Sequence, residues 1–314
     1  MDFSKCKMID GALGTEISRR GFSVDGEVLW SAKAILEKPE LLKQIHYDYY
    51  LAGADIVVSA TYQFTFETMK KIGFEKDKSI ELFHKGIDLV AEAREDYLKS
   101  LNYEIENIPL VGASIGSYAA FLADGSEYTG FFNKTKQELI DFHLERLELC
   151  CENPNTDIIA LETMPSFLEA EALIEIFNSG KISKKAYISF ACKNKEQIND
   201  GTLFADCVKI CLECDNFLAI GINCTKPEFV PNLVDIANEV MKKQKKQKII
   251  MCYPNLGNIW DSEKQTFLPD SGFSENDFVS LLHNLFINKK CSIVGGCCST
   301  TPEIIKKLAE LVKK

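Results

Sequence analysis

The 314-residue chain has no apolar run approaching the roughly 20 residues that a membrane-spanning helix needs. The opening segment, MDFSKCKMIDGALGT, also lacks the apolar stretch of a signal peptide. A membrane partner is therefore not expected, and the expected location is the cytoplasm. Basic charge is in deficit: 36 Lys and Arg stand against 46 Asp and Glu, for a net charge of −10. Phosphate contacts need clustered Lys and Arg, so nucleic acid is not an expected partner either. The one basic run, Lys242 to Lys248, precedes an apolar stretch and has the pattern of a solvated helix end. No Pro-, Gly- or Ser-rich linker and no low-complexity tract divides the chain, so one domain over residues 1–314 is expected. No Gly-x-Gly-x-x-Gly turn follows the first apolar run, which argues against a dinucleotide-binding fold. The four histidines fall inside helical patterns and are given no catalytic role.

What is present is a large supply of core. Hydrophobic residues make up 46% of the chain and charged ones 26%, a balance that excludes disorder as the main state. Eight short apolar runs rich in β-branched residues occur at 7–10, 54–60, 108–115, 156–162, 186–192, 217–223, 248–254 and 291–296. Amphipathic segments with helical spacing separate them. Continuous apolar strands alternating with helices imply a parallel sheet covered by helices. Eight of them favour a single-domain α/β fold of the (β/α)8 TIM-barrel type over an open doubly wound sheet. Ser166 with Glu169 has the pattern of a capping box, Ser274 with Asp277 opens a later helix, and Thr301 with Pro302 opens the last one. The long irregular stretches 119–134 and 255–272 both follow strands, which puts them over the C-terminal mouth.

A barrel of this kind carries its active residues at the C-terminal ends of its strands. The polar and sulfur residues there are Asp10, Tyr62, Gln63, Ser114, Glu162, Cys224, Asn255, Cys297 and Cys298. The thiols are the informative members, because a reducing compartment keeps the twelve cysteines free. Cys224 ends the sixth strand, while Cys297 and Cys298 follow the eighth. Three thiolates suit zinc in tetrahedral geometry and leave its fourth position open, as catalytic zinc requires. Gly295 and Gly296 permit the irregular backbone that two adjacent ligands need. The N-terminus of the last helix lies just beyond and favours thiolate at Cys297 and Cys298. The remaining cysteines are read as small buried hydrophobes, including Cys211-x-x-Cys214, whose redox-like spacing falls in a helix. Spacing alone leaves the trio open between a zinc site and buried thiols.

The segments DGALGTE, LWSAK, ADIVVSATYQ, GASIGSYAAFLADGSEYTG, ALETMPS, GINC, CYPNLG and GGCCSTTP together resemble the homocysteine S-methyltransferase family. They run in the family's order from residue 10 to residue 302. The chain departs from the family's usual residues at Ala12, Leu256, Asn258 and Ser299, none of which is a ligand position. The resemblance implies a (β/α)8 barrel holding one zinc ion per chain on Cys224, Cys297 and Cys298. It implies transfer of a methyl group from a sulfonium donor to the thiol of L-homocysteine, giving methionine. S-methylmethionine is the favoured donor, with S-adenosylmethionine next. Asp10 and Glu162 are the candidates for the acceptor's ammonium group, and the backbone N–H groups of Gly11 and Ala12 for its carboxylate. Tyr62, Gln63, Ser114 and Tyr118 are candidates for the donor pocket. Tyr128 and Trp260, on the rim stretches, are placed to stack on a sulfonium. The alternatives are a selenocysteine or selenohomocysteine acceptor, or a non-catalytic zinc-binding barrel. Small molecules are the only partners implied.

Overall fold

Apolar runs without polar alternation become strands buried on both faces. β2 (Leu110–Gly116) and β3 (Ile158–Met164) are buried at every position. With β1 (Ile56–Val58), β4 (Ala186–Phe190), β5 (Phe217–Asn223) and β6 (Ile249–Tyr253) they pair in sequence order, each parallel to the next. Two short strands, β7 (Trp260–Asp261) and β8 (Thr266–Phe267), form a separate antiparallel ribbon. β9 (Ile293–Val294) then adds to the edge of β6. The computed structural model describes residues 2–23, 30–102, 104–258, 260–261, 266–267, 271–288 and 290–314.

The ring closes through the first predicted strand, which shrinks to two bridging residues. Met8 pairs with Val294 and Ile9 with Ile56, both in parallel. Ile9 N–H donates to Val294 O at 2.9 Å and Asp10 N–H to Ile56 O at 3.0 Å. The eight predicted strands are thus residues 8–9, β1 to β6 and β9. The closing segment is short because the chain turns at Gly11 into the helix Leu13–Arg19. Asp55 braces it from below, where Oδ2 accepts the N–H groups of Lys7 and Met8 at 2.8 and 3.0 Å.

Side chains of alternate residues face opposite sides of a strand. Ile158, Ala160, Tyr187, Ala219, Met251 and Ile293 point inward and fill the lumen with Ile9 and Ile56. Ile159, Leu161, Ile188, Ile220 and Ile222 point outward into the helix layer. Phe3, on a single 3-10 turn, closes the lower end of the lumen, with its ring 6.4 Å from that of Tyr187. Among the described residues no helix is long and apolar enough to cross a membrane.

Several local expectations come out differently. The stretch 119–134 is not irregular throughout: Ser117 caps the helix Tyr118–Leu122 by accepting Ala120 N–H, and Ser126–Thr129 forms a further turn. Ser166 precedes the helix Phe167–Asn178 but makes no side-chain cap bond. Its expected partner Glu169 is instead fully buried, accepting Tyr118 N–H at 2.5 Å and lying 2.8 Å from His143 Nε2. The open N-terminus of helix Tyr118–Leu122 and a buried histidine outcompete the local cap. Ser274 does cap its helix, accepting Asp277 N–H at 3.1 Å. Pro302 sits at the start of the helix Pro302–Val312, although Thr301 makes no side-chain cap bond. Leu29 of the LWSAK segment and much of 255–272 lie outside the described residues.

Asp55→Ala removes the acceptor for two N–H groups that hold the closing segment. It should lower stability by about 1–3 kcal/mol, seen as a lower urea midpoint. An unchanged midpoint would mean that ring closure does not depend on Asp55.

Candidate active site

The C-terminal mouth collects the residues that strand alternation and the irregular strand ends expose. Cys224 follows β5 with φ at +43°, a left-handed conformation that turns its thiol inward. On the other side β9 runs into Gly295 and Gly296. Gly295 N–H donates to Cys252 O, Gly296 N–H to Asp10 O and Cys297 N–H to Pro254 O, all at 2.8–3.0 Å. A Cβ on Gly295 would lie 2.3 Å from Ile9 O, and one on Gly296 would lie 2.2 Å from Thr300 Oγ1. Only glycine permits this approach. Thr300 then folds back, its N–H and hydroxyl both donating to Cys297 O, and Leu256 N–H donates to Cys298 O.

Three sulfurs meet as a result. Cys224 Sγ lies 2.6 Å from Cys297 Sγ and 3.9 Å from Cys298 Sγ, and all three fall within 4.8 Å of one another. All are partly exposed to the mouth. Hydrogen bonding to Cys297 and Cys298 pushes the Cys224 thiol well up, while the same kind of bond from Cys224 and Cys297 holds Cys298 well below the usual thiol range. A cation lets the other two ionise as well. The donor set fits zinc: it is all sulfur, comes from two rigid strand ends and faces an open side. The 3.9 Å pair matches the roughly 3.8 Å between thiolates on one tetrahedral ion. The 2.6 Å pair is closer than that and must separate to seat one. This is the one such cluster among the described residues.

Below the thiols lie two carboxyl groups. Glu162, in β3, is 7% exposed and accepts from Ser114 Oγ at 2.7 Å and Tyr187 OH at 3.2 Å, with Tyr253 also in hydrogen-bond contact. Asp10 is 4% exposed, and its Oδ2 accepts Val58 N–H at 2.8 Å. Burial pushes both carboxyls up, and for Asp10 the nearby Glu162 adds to the shift. Among the described residues neither has a cationic partner. Two buried acids without a counter-ion are costly unless a positive ligand supplies one.

The other expected residues divide. The Tyr62 hydroxyl contacts Thr163, and its field comes from Cys224, Glu127 and Cys297, which places it beside the thiols. Ser114 serves Glu162. Gln63 Nε2 donates to Ala120 O at 3.1 Å, so it braces the rim helix, while its buried Oε1 has no partner. Ala12 N–H donates to Thr300 O at 3.0 Å and is not free for a carboxylate, whereas Gly11 N–H has no acceptor among the described residues. Asn255 turns away, with Oδ1 accepting Gly257 N–H. Tyr118 packs with Phe121, Phe132 and Phe142 in a structural aromatic group. Tyr128 is 68% exposed on the rim, within the field of Glu127 and all three thiols. The side chain of Trp260 lies outside the described residues. Cys211 and Cys214 are fully buried away from the trio.

Three residues at the mouth are absent from the expected set. Tyr187 and Tyr253 bind Glu162 from inward positions of β4 and β6, a placement that period-two alternation can supply once the strands are fixed. Glu127 stands on the turn Ser126–Thr129, where burial and Cys298 push its carboxyl up to about 7. Its signal was its place inside the long GSEYTG segment.

A family described as homocysteine S-methyltransferase matches residues 7–312. The chain is 38% identical to homocysteine S-methyltransferase 2 of Zea mays, covering 98% of this chain and 90% of that protein. It is also 38% identical to selenocysteine Se-methyltransferase of Brassica oleracea var. italica, covering 96% of this chain and 87% of that protein. Among solved structures it resembles the homocysteine methyltransferase MmuM from Escherichia coli. The metallated form has 32% identity and a TM-score of 0.79, covering 97% of this chain and 96% of that one. The oxidised form has 30% identity and a TM-score of 0.82, covering 97% and 95%.

Cobalt(II) added to the reduced protein should give an intense thiolate-to-metal absorption band, since soft thiolates hold such ions. Cys224→Ser should lose it and Cys214→Ser should keep it. A band unaffected by Cys224→Ser would place the metal elsewhere.

Proposed function

The chain belongs to the homocysteine S-methyltransferase family and methylates the thiol of homocysteine, and we propose that it does so with one zinc ion on Cys224, Cys297 and Cys298 and a sulfonium donor. The observation that carries this reading is the convergence of three thiols from two distant segments on an open mouth, above two unpaired acids. A zinc ion bound there would supply the Lewis acidity that keeps an incoming alkyl thiol, ordinarily protonated at neutral pH, as a thiolate.

The chain's own residues do the rest. Glu162 and Asp10 receive the acceptor's ammonium group, which removes the cost of burying two like charges. Ser114, Tyr187 and Tyr253 fix the Glu162 carboxylate so that the acceptor enters in one orientation. Gly11 N–H is the turn amide available to the acceptor's carboxylate. Glu127, Tyr62 and Tyr128 surround the mouth with negative charge and aromatic faces, which attract a cationic sulfonium. A new bond then forms between the acceptor sulfur and the methyl carbon as the donor's sulfur–methyl bond breaks. The electron pair of that broken bond stays on the departing thioether, which is neutral and needs no proton. No general base is required at the carbon, so alignment carries much of the rate.

S-methylmethionine is the favoured donor, with S-adenosylmethionine second. With the first, both products are methionine. A second reading, selenocysteine as acceptor, draws on the relative named for that activity.

Assays of the zinc-loaded chain with each sulfonium and homocysteine should give methionine. Absence of transfer from every sulfonium would overturn the reading. Cys298→Ala should lose zinc and lower turnover at least about a hundredfold; full activity in a zinc-free variant would refute the metal's role. Glu162→Gln should raise the homocysteine KM roughly 10- to 100-fold with zinc retained. Raised carboxyl pKa values mean that these acids take up protons at a higher pH than ordinary carboxylates, so acceptor affinity should fall on acidification well above pH 4. A flat KM down to that pH would remove the acids from acceptor binding.

A further inference from the structure

Strand alternation sets a constraint that the mouth has to break. Ile158 and Ala160 of β3 and Ala219 of β5 face the lumen. Glu162 and Asn223 therefore face it too, and the next residues, Thr163 and Cys224, should face outward. Both depart from the pleat instead, with φ at +59° for Thr163 and +43° for Cys224. A β-branched residue in the left-handed region is sterically disfavoured and persists only when its surroundings hold it there.

Asn223 grips Thr163 by two bonds, at its backbone N–H and at the hydroxyl that Tyr62 also contacts. Its Oδ1 accepts Thr163 N–H at 3.0 Å, and its Nδ2 donates to Thr163 Oγ1 at 2.7 Å. The amide is 1% exposed, so water does not compete for these bonds. β3 and β5 are not neighbours, because β4 lies between them. The side chain thus bridges over the end of β4, at the point where the pairing register of β3 with β4 shifts between Leu161 and Met164. Thr163 is bonded covalently to Glu162, and Asn223 to Cys224. One amide therefore ties the strand end bearing the buried carboxylate to the strand end bearing the thiol.

We propose that Asn223 is the positioning residue that sets the length of acceptor the site accepts. By holding Thr163 left-handed it fixes the Glu162 carboxylate relative to the Cys224 thiol. This rests on the reading that Glu162 holds the acceptor's ammonium group and that Cys224 helps hold the zinc where its sulfur binds. A γ-thiol amino acid carries one more methylene between those two ends than a β-thiol does. With the spacing locked, the longer acceptor satisfies both ends in line with the donor better than a β-thiol or β-selenol does, so the clamp stands with the homocysteine reading and against the selenocysteine one. Without the clamp, Thr163 relaxes toward extended backbone, Glu162 shifts and the discrimination blunts.

The test compares zinc-loaded wild type, Asn223→Ala and Thr163→Val, using homocysteine and cysteine with one sulfonium donor. Zinc per chain is measured alongside. Thr163→Val keeps the shape and the backbone bond but removes Oγ1, so it decides the matter if Asn223→Ala does not fold. The ratio of kcat/KM for homocysteine over cysteine should fall at least about tenfold in Asn223→Ala, mainly through a higher homocysteine KM, with zinc unchanged. Thr163→Val should move it the same way by less. Ratios within about twofold of wild type in folded, zinc-loaded variants would overturn the proposal, as would zinc loss with an unchanged ratio. A wild-type chain that binds no zinc or leaves homocysteine unmethylated would instead remove the underlying reading, and the clamp's role with it.

Discussion

The site hangs on the close approach of the Gly295–Gly296 backbone to Ile9, Asp10 and Thr300. Three successive N–H groups there donate to Cys252, Asp10 and Pro254, which sews the chain between the end of β6 and the closing segment. No Cβ fits at either glycine. The bond from Gly296 to Asp10 O gives this its functional weight. The segment carrying two thiols and the segment carrying one of the buried acids share a hydrogen bond, so the thiols and that acid sit in one rigid frame. A catalytic constellation needs that kind of support from the elements behind it.

A regular strand offers every second side chain to the lumen, yet the mouth uses consecutive residues: Glu162 with Thr163, Asn223 with Cys224, Cys297 with Cys298. Left-handed backbone at Thr163, Cys224 and Ser299 accompanies that departure. Such conformations are disfavoured for these side chains and are retained where surrounding structure over-determines them. Here the surroundings include the Asn223 amide at Thr163 and Thr15 Oγ1, which accepts Ser299 N–H at 3.1 Å. The barrel below, with its filled lumen, supplies the rigidity against which these turns are held.

Charge completes the picture. Asp10, Glu162, Glu127 and three thiols converge on one mouth, and burial raises all three carboxyls above their ordinary range. A folded protein gains no stability from collecting unpaired acids out of water. The ligands of the proposed reaction, a metal ion, an ammonium group and a sulfonium, would each bring the positive charge that this collection lacks.

Sequence alone determined the strand–helix alternation, since the β-branched runs have no stable alternative to a sheet buried on both faces. It also marked Cys224, Cys297, Cys298, Asp10 and Glu162 as a set, because strand ends in a barrel converge and the segments around them are long and distinctive. It could not give the two-residue closing segment, whose strand character exists only through partners at Val294 and Ile56. Nor could it show that Glu169 abandons Ser166 for His143 and Tyr118, that Ala12 N–H is taken by Thr300, or that Asn223 grips Thr163 across β4. Local propensity and spacing are written along the chain. A hydrogen bond between residues 60 or 288 positions apart is decided only when the ring closes, because closure alone determines which donors and acceptors are left without water.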